Sequence, residues 1–257
     1  EQATENRCVG GSIPPLGTTM RMLIVNKILI ISLTLFLMGC DSSSKNDYFP
    51  DDQGIIWHYK ISIGSDYTGK IEEKRLTISN SNRRINAKGT SYSKVFSNGN
   101  SFTFLKDVKN NSFTRISASI TNGTGLEEPV KKVIFPSIYF ESKDWKTLSQ
   151  LLITKGFQPP LRDFKPSKVF EMNFKVASHN AKIKVKAGAF ENCLIIKGYG
   201  KTEFTADTRY KPNEVDITSE EWICPGVGSV KEIREEATNS SAFGTRKFYK
   251  ELISFRK

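Results

Sequence analysis

The chain has 257 residues, with 38 lysines and arginines against 27 aspartates and glutamates, for a net charge of +11. That length can bury a sizeable core as one or two domains, and β barrels and sandwiches of this size are often single. Two histidines leave a histidine-built metal centre short of the three or four convergent ligands it needs.

In chain order, residues 1–19 contain no methionine, and Met20 or Met22 is the expected start. The segment before it, Cys8 included, reads as a gene-boundary artefact. Arg21 and Lys27 then precede an apolar run from Ile28 to Gly39. The run is shorter than the about 20 residues a spanning helix requires. It fits the apolar core of a secretory signal behind a positive start, placing a signal peptide at 20–39. Ordinary signal cleavage and an uncleaved anchor are the other readings of the same run.

Leu37-Met38-Gly39-Cys40 resembles the lipobox of bacterial lipoproteins: an aliphatic residue, a tolerant position, a small residue, then cysteine. The resemblance implies cleavage between Gly39 and Cys40. It also implies a diacylglycerol on the Cys40 sulfur and an acylated new amine, the palmitate of such anchors. One acyl chain binds a membrane only marginally, whereas two or three hold durably. The resemblance places the chain in the bacterial cell envelope, on the periplasmic face. Asp41 favours the inner membrane on the pattern of enteric bacteria, with the outer membrane as the alternative.

Residues 40–53 are polar and read as a tether, leaving 54–257 as one β-rich domain. Removing residues 1–39 takes out Arg7, Arg21 and Lys27 with Glu1 and Glu5, so the remainder stays strongly basic. A location outside the cytoplasm, rather than the charge itself, sets nucleic acid aside as the expected partner. The charge fits either a lysine-rich solvated face or anionic lipid headgroups.

Within the domain, IIWHYKISIG (55–64) alternates as a half-buried strand. GKIEEKRLTIS, RRINAKGTSYSKVFS, SFTFLKDV and SFTRISASI read as further strands. Asn98-Gly99 and Asn122-Gly123 suit the positive φ of tight hairpins. In ESKDWKTLSQLLITKGF, Trp145, Leu148 and Leu152 recur at helical spacing. The spacing predicts one covering helix over 144–155. Strands resume with NAKIKVKAG, FENCLIIKGYG, VDITSEEWIC, VGSVKEIREE and RKFYKELISF. The expected fold is mainly β: a single curved antiparallel sheet or incomplete β-barrel of about ten to twelve strands, covered by that helix.

Cys193 and Cys224 lack the spacing of a redox or zinc motif. Facing each other across two strands they can form a disulfide, or they can stay buried as free thiols. GYGKT (198–202) lacks the upstream glycine and the following helix of a phosphate-binding loop. PGVGSVK lacks the third glycine of a dinucleotide fingerprint. His58, on the polar side of a strand, and His179, in a turn, read as surface residues. The acidic pairs Glu220-Glu221 and Glu235-Glu236 point to opposite faces of a strand, so a carboxylate dyad requires distant strands. Asn110, Asn122 and Asn239 head glycosylation sequons, which an export signal of this type makes irrelevant. No catalytic residue, metal site or cofactor is indicated, and the chain is not expected to be an enzyme.

AGAFENCLIIKGYG followed by EEWICPGVGSVKEI resembles a pattern in uncharacterised secreted bacterial lipoproteins, over about 165–235. It implies scaffold roles: Pro225-Gly226 and Gly228 as a bend, and Trp222 packed against the sheet interior. It also implies a curved sheet around a helix, as in the lipoprotein carriers LolA and LolB. The expected function is thus a lipid-anchored binding or interaction protein holding an apolar ligand in a half-barrel. The alternative is a structural or assembly component of the envelope, working with an envelope protein partner and without a small ligand.

Overall fold

The computed structural model describes residues 47–66, 68–107, 109, 112–120, 131–136, 144–154 and 169–257. The signal segment, Gly39, Cys40 and the Asn122-Gly123 pair lie outside the described residues. Among the described residues, twelve antiparallel strands form one sheet. They are β1 (Ile56–Ser65), β2 (Ile71–Asn86), β3 (Gly89–Phe96), β4 (Ser101–Asp107), β5 (Ser112–Ser119), β6 (Lys132–Phe135), β7 (Trp145–Ser149), β8 (Phe170–Val185), β9 (Gly188–Phe204), β10 (Asn213–Cys224), β11 (Gly228–Thr238) and β12 (Thr245–Arg256). Their order is β6-β5-β4-β3-β2-β1-β12-β11-β10-β9-β8-β7. Each half of the chain is a six-stranded meander, and the first and last strands join the halves, with Ile56 opposite Arg256. The sheet curls into a nearly closed barrel. At its seam the ring of Phe135 on β6 meets Trp145 on β7 edge to face, 5.7 Å between centroids.

The expected helix at 144–155 is not formed among the described residues. Trp145–Ser149 is a strand paired with Phe170–Phe174 of β8. Trp145, Thr147 and Ser149 point inward, while Lys146 and Leu148 point out, leaving Leu148 46 % exposed. The helical reading assumed that only apolar residues face the core. Here the barrel interior is polar at this level, so Thr147 and Ser149 belong inside and the true period is two. Leu151 and Ile153 follow the strand into the core.

Within the expected 40–53 tether, the described residues from Asp47 onward are packed against the barrel. The Phe49 ring stacks on Phe113 at 4.3 Å, and Pro50 and Asp51 are buried. Lys106 Nζ donates to Asp47 Oδ1 (2.7 Å), Asp51 Oδ1 (3.0 Å) and the Phe49 carbonyl (3.2 Å). Polar composition suggested a solvated linker, but these polar groups are paired inside one end of the barrel.

Gly99 (φ 87°) turns the β3–β4 hairpin, and Gly226 (φ 71°) and Gly228 (φ 89°) turn β10 into β11. Pro225-Gly226 therefore ends a strand rather than bending one. His179 lies within β8, exposed, where the β8–β9 register shifts. Trp222 takes the face opposite Glu221 and Ile223, half-buried, with Lys231 Nζ 4.8 Å from its ring centroid.

Cys193 and Cys224 are bridged, with Cα atoms 4.2 Å apart. Leu194 stands opposite Ile223 across β9 and β10, which puts the two cysteines on adjoining strands. Both are fully buried beside Trp57, Val185, Val230 and Leu252. The turn of the β8–β9 hairpin closes this end of the barrel. Ala187 N–H donates to the Leu252 carbonyl at 3.1 Å.

Candidate polar site inside the barrel

Strand periodicity and register decide what faces the interior. Along β10 the inward residues run Val215, Ile217, Ser219, Glu221, Ile223; along β11, Glu232, Arg234 and Glu236 face them. Glu232 in turn faces Lys250 of β12. Apolar clusters fill both ends: Trp57, Tyr59, Leu252 and their neighbours at one, Met172, Phe204, Val215 and Ile217 at the other. Charged and hydroxyl side chains form a belt between them.

A cavity of about 110 Å³ sits in this belt beside the seam. Lys132, Thr147, Ser219, Glu221, Glu232 and Arg234 supply its polar wall, with Trp145, Phe174 and Ile196 opposite. Gly198 and Gly200, the glycines of the GYG motif, make room here. A Cβ at Gly198 would strike the Phe174 ring and Ser219 Oγ, and one at Gly200 would come within 2.8 Å of Met172 Cγ. The motif that resembled a phosphate loop is therefore a packing device.

Lys250 holds the belt together. Its Nζ lies 2.6 Å from Glu232 and 3.7 Å from Glu221, with the Tyr59 ring centroid at 5.4 Å. Burial alone would favour its neutral amine, but Glu232 and then Glu221 outweigh burial and hold its pKa above the ordinary lysine value. Glu221 and Glu232 stand directly opposite each other on neighbouring strands. Burial pushes Glu221 up, against the pull of Lys250. Glu232 is also desolvated, but the charge and hydrogen bond of Lys250 carry it below the usual glutamate value. The two carboxyls thus differ: Glu232 is the fixed anion and Glu221 the readily protonated one. Lys94, with Nζ 4.2 Å from the Trp57 ring centroid, is drawn down to about 8 by burial and then by repulsion from Lys250.

Arg234 and Glu236 secure the cavity wall. Arg234 Nε donates to Glu236 Oε1 (2.8 Å), Nη1 to Ser149 Oγ (3.0 Å) and Nη2 to the Gln150 carbonyl (2.8 Å). Glu236, 1 % exposed, also accepts the backbone N–H groups of Leu152 (2.9 Å) and Ile153 (2.7 Å). These contacts pin the segment after β7 to β11, across the barrel from its own neighbour β8.

The Glu221–Glu232 assignment predicts opposite outcomes for two isosteric changes. Glu221 has a folded pKa above its unfolded one, so its contribution is fully present below pH 4.5 and is lost as pH rises through the folded value. Glu232 has a lowered folded pKa, so its contribution is present above 4.5 and is lost as pH falls through the folded value. Glu232→Gln should therefore cost about 1–3 kcal/mol at pH 7, while Glu221→Gln should be neutral or stabilising by up to about 1 kcal/mol. In urea unfolding curves the Glu221 difference should shrink as pH falls to 4.5, and the Glu232 difference only as pH falls further below 4.5. Equal losses from the two variants at pH 7 would show that the carboxyls are interchangeable.

The expected site residues are only partly brought together. Cys193 and Cys224 meet, but away from the cavity. His58 is exposed on the outer wall, where Nδ1 and Thr77 Oγ1 share a hydrogen bond of 2.9 Å. The interior carboxyls Glu221, Glu232 and Glu236 were not singled out as a site. Their signal was present in VKEIREEA, a strand with charges on both faces, which a barrel with an apolar interior would not carry.

No protein-family model and no curated protein matches the chain. Among solved structures it is similar to a protein of Bacteroides fragilis assigned as exported, with a YmcC-like fold. The identity is 14 % and the TM-score 0.41, covering 82 % of this chain and 100 % of the other. It is also similar to a protein of Parabacteroides distasonis assigned as a lipoprotein. There the identity is 13 % and the TM-score 0.40, covering 82 % and 99 %.

Proposed function

We propose that the chain is a lipid-anchored binding protein of the bacterial cell envelope, held by Cys40, acting without catalysis. Its barrel interior takes a small polar ligand rather than an apolar cargo. The observation that carries the second part is the belt around the cavity. Lys132, Arg234, Glu221 and Glu232 are placed to bind charge, and about 110 Å³ is well below the roughly 300–1,000 Å³ of sites for drug-sized ligands. The anchor rests on the order of positive start, short apolar run and Leu37-Met38-Gly39-Cys40. The small cavity equally favours a second reading, an assembly component of the envelope whose outer surface does the work.

Intact mass of the membrane-extracted protein should correspond to a chain beginning at Cys40 with a diacylglycerol and acyl group. Cys40→Ser should move the protein to the soluble fraction or stall its processing. A wild type that never incorporates labelled fatty acid would overturn the anchor. The apolar probe N-phenyl-1-naphthylamine should show no saturable binding, and saturable binding would restore the apolar carrier.

A further inference from the structure

The two ends of the barrel differ in how many exposed cations they leave outside ion pairs. One end carries the β1–β2, β3–β4, β9–β10 and β11–β12 turns. Counting strand ends, its cations are Lys70, Lys131, Arg209, Lys211, Arg246 and Lys247, against Asp66, Glu203, Asp207 and Glu214; Arg209 is bound to Asp207, Lys247 to Glu235, and Arg246 donates to the Ile153 carbonyl. The other end carries the β2–β3, β4–β5, β8–β9 and β10–β11 turns and the end of β12. There Arg84, Lys88, Lys109, Lys186, Arg256 and Lys257 are all exposed. Among the described residues their side chains make no ion pair. Of the anions nearby, Asp47 and Asp51 are held by Lys106, Asp51 also by Arg83 at 2.8 Å, and Glu191 by Lys182 at 2.7 Å; Glu251 accepts the Lys186 backbone N–H at 3.0 Å, and Asp52 and Asp144 are exposed. Ile85, beside Arg84 at the tip of the β2–β3 hairpin, is 72 % exposed.

The same end fixes Asp47. Besides the Lys106 bonds, Gly226 N–H donates to the Asp47 carbonyl at 2.6 Å, and Asn80 Nδ2 donates to the carbonyls of Pro50 (3.0 Å) and Asp52 (3.1 Å). From Asp47 back to Cys40 is seven residue steps, which span at most ~25 Å when fully extended. A lipid on Cys40 therefore leaves this end, and not the opposite one, against the bilayer.

We infer that this basic rim is a docking surface for anionic phospholipid headgroups, with Arg84, Lys88, Lys186 and Lys257 meeting phosphates and Ile85 entering the interface. The orientation rests on the anchor at Cys40, but the headgroup affinity does not. A lysine or arginine close to a negative membrane surface contributes about 1 kcal/mol, within a Debye length. The rim thus turns a short tether into a fixed orientation of the barrel.

The test uses the full chain carrying Cys40→Ser, so that no acyl chain contributes, co-sedimented with two vesicle types. One is phosphatidylethanolamine with phosphatidylglycerol; the other is phosphatidylcholine alone. Binding should be at least ~10-fold tighter to the anionic vesicles and should disappear at ~0.5 M salt. The triple variant Lys88→Glu, Lys186→Glu, Lys257→Glu should bind them ~100-fold more weakly or not at all. A charge-matched variant, Lys70→Glu, Lys175→Glu, Lys211→Glu, should bind as the parent does. Circular dichroism should show both folded. Equal losses from the two variants would reduce the effect to net charge and overturn the rim, as would absent binding by the parent. Absence of fatty-acid labelling in the wild type would remove only the orientation.

Discussion

Glu236→Ala is expected to lower the unfolding free energy by about 3–5 kcal/mol, because it breaks a buried ion pair by removing one partner. The carboxylate is 1 % exposed and serves three donors at once: Arg234 and the N–H groups of Leu152 and Ile153. Truncation leaves two backbone donors and a guanidinium without their acceptor, and each orphaned buried group costs about 1–3 kcal/mol. Glu236→Gln retains one carbonyl acceptor and should fall between alanine and wild type. Arg234→Met with Glu236→Met removes the pair together and should cost less than the sum of the single changes. Urea unfolding at pH 7 reads all of them. A loss under about 1 kcal/mol for the alanine variant would mean that the segment after β7 holds without this anchor.

Replacing both cysteines of the Cys193–Cys224 bridge by alanine should cost about 3–4 kcal/mol on the chain-entropy account, for a sequence separation of 31. The native state offers little compensation, since β9 and β10 are already paired there and the gain lies in restricting the unfolded chain. Both sulfurs are inaccessible, each residue being 0 % exposed. Dithiothreitol should therefore leave the folded wild type unaltered and act only when urea opens the barrel. The reduced wild type and the double alanine variant should then unfold at the same urea concentration. Rapid reduction under native conditions would place the bridge in a region that opens on its own.

Much of the architecture was legible because alternation is a local signal. The strand starting at Ile56, the Asn98-Gly99 turn and the wall of lysines in NAKIKVKAG each follow from neighbours in sequence. The segment at 145–149 was misread because Trp145, Leu148 and Leu152 fit a helical stripe while Thr147 and Ser149 look too polar for a core. Only the position of Arg234, far away in sequence, makes Ser149 an interior residue. The polar belt was hidden for the same reason. That Glu220 and Glu221 face opposite sides is a property of any strand, but that Glu221 meets Glu232 and Lys250 is a property of register. Register depends on turn geometry and bulges, such as the shift between Trp222 and Ile223, that single-sequence patterns do not specify.

The pairing of β1 with β12 has a kinetic consequence. Each meander can build itself from neighbouring hairpins as it emerges, but neither can become a barrel alone. The strand that welds them ends at Arg256, and its partner begins at Ile56. Closing so long a loop costs chain entropy before any contact repays it, and topologies dominated by such distant pairings fold slowly. During that interval two half-barrels expose unpaired edges and aromatic faces, the condition that invites aggregation. A deletion of the final dozen residues should consequently be far more harmful than its length suggests, because it removes the strand pairing that joins the two halves.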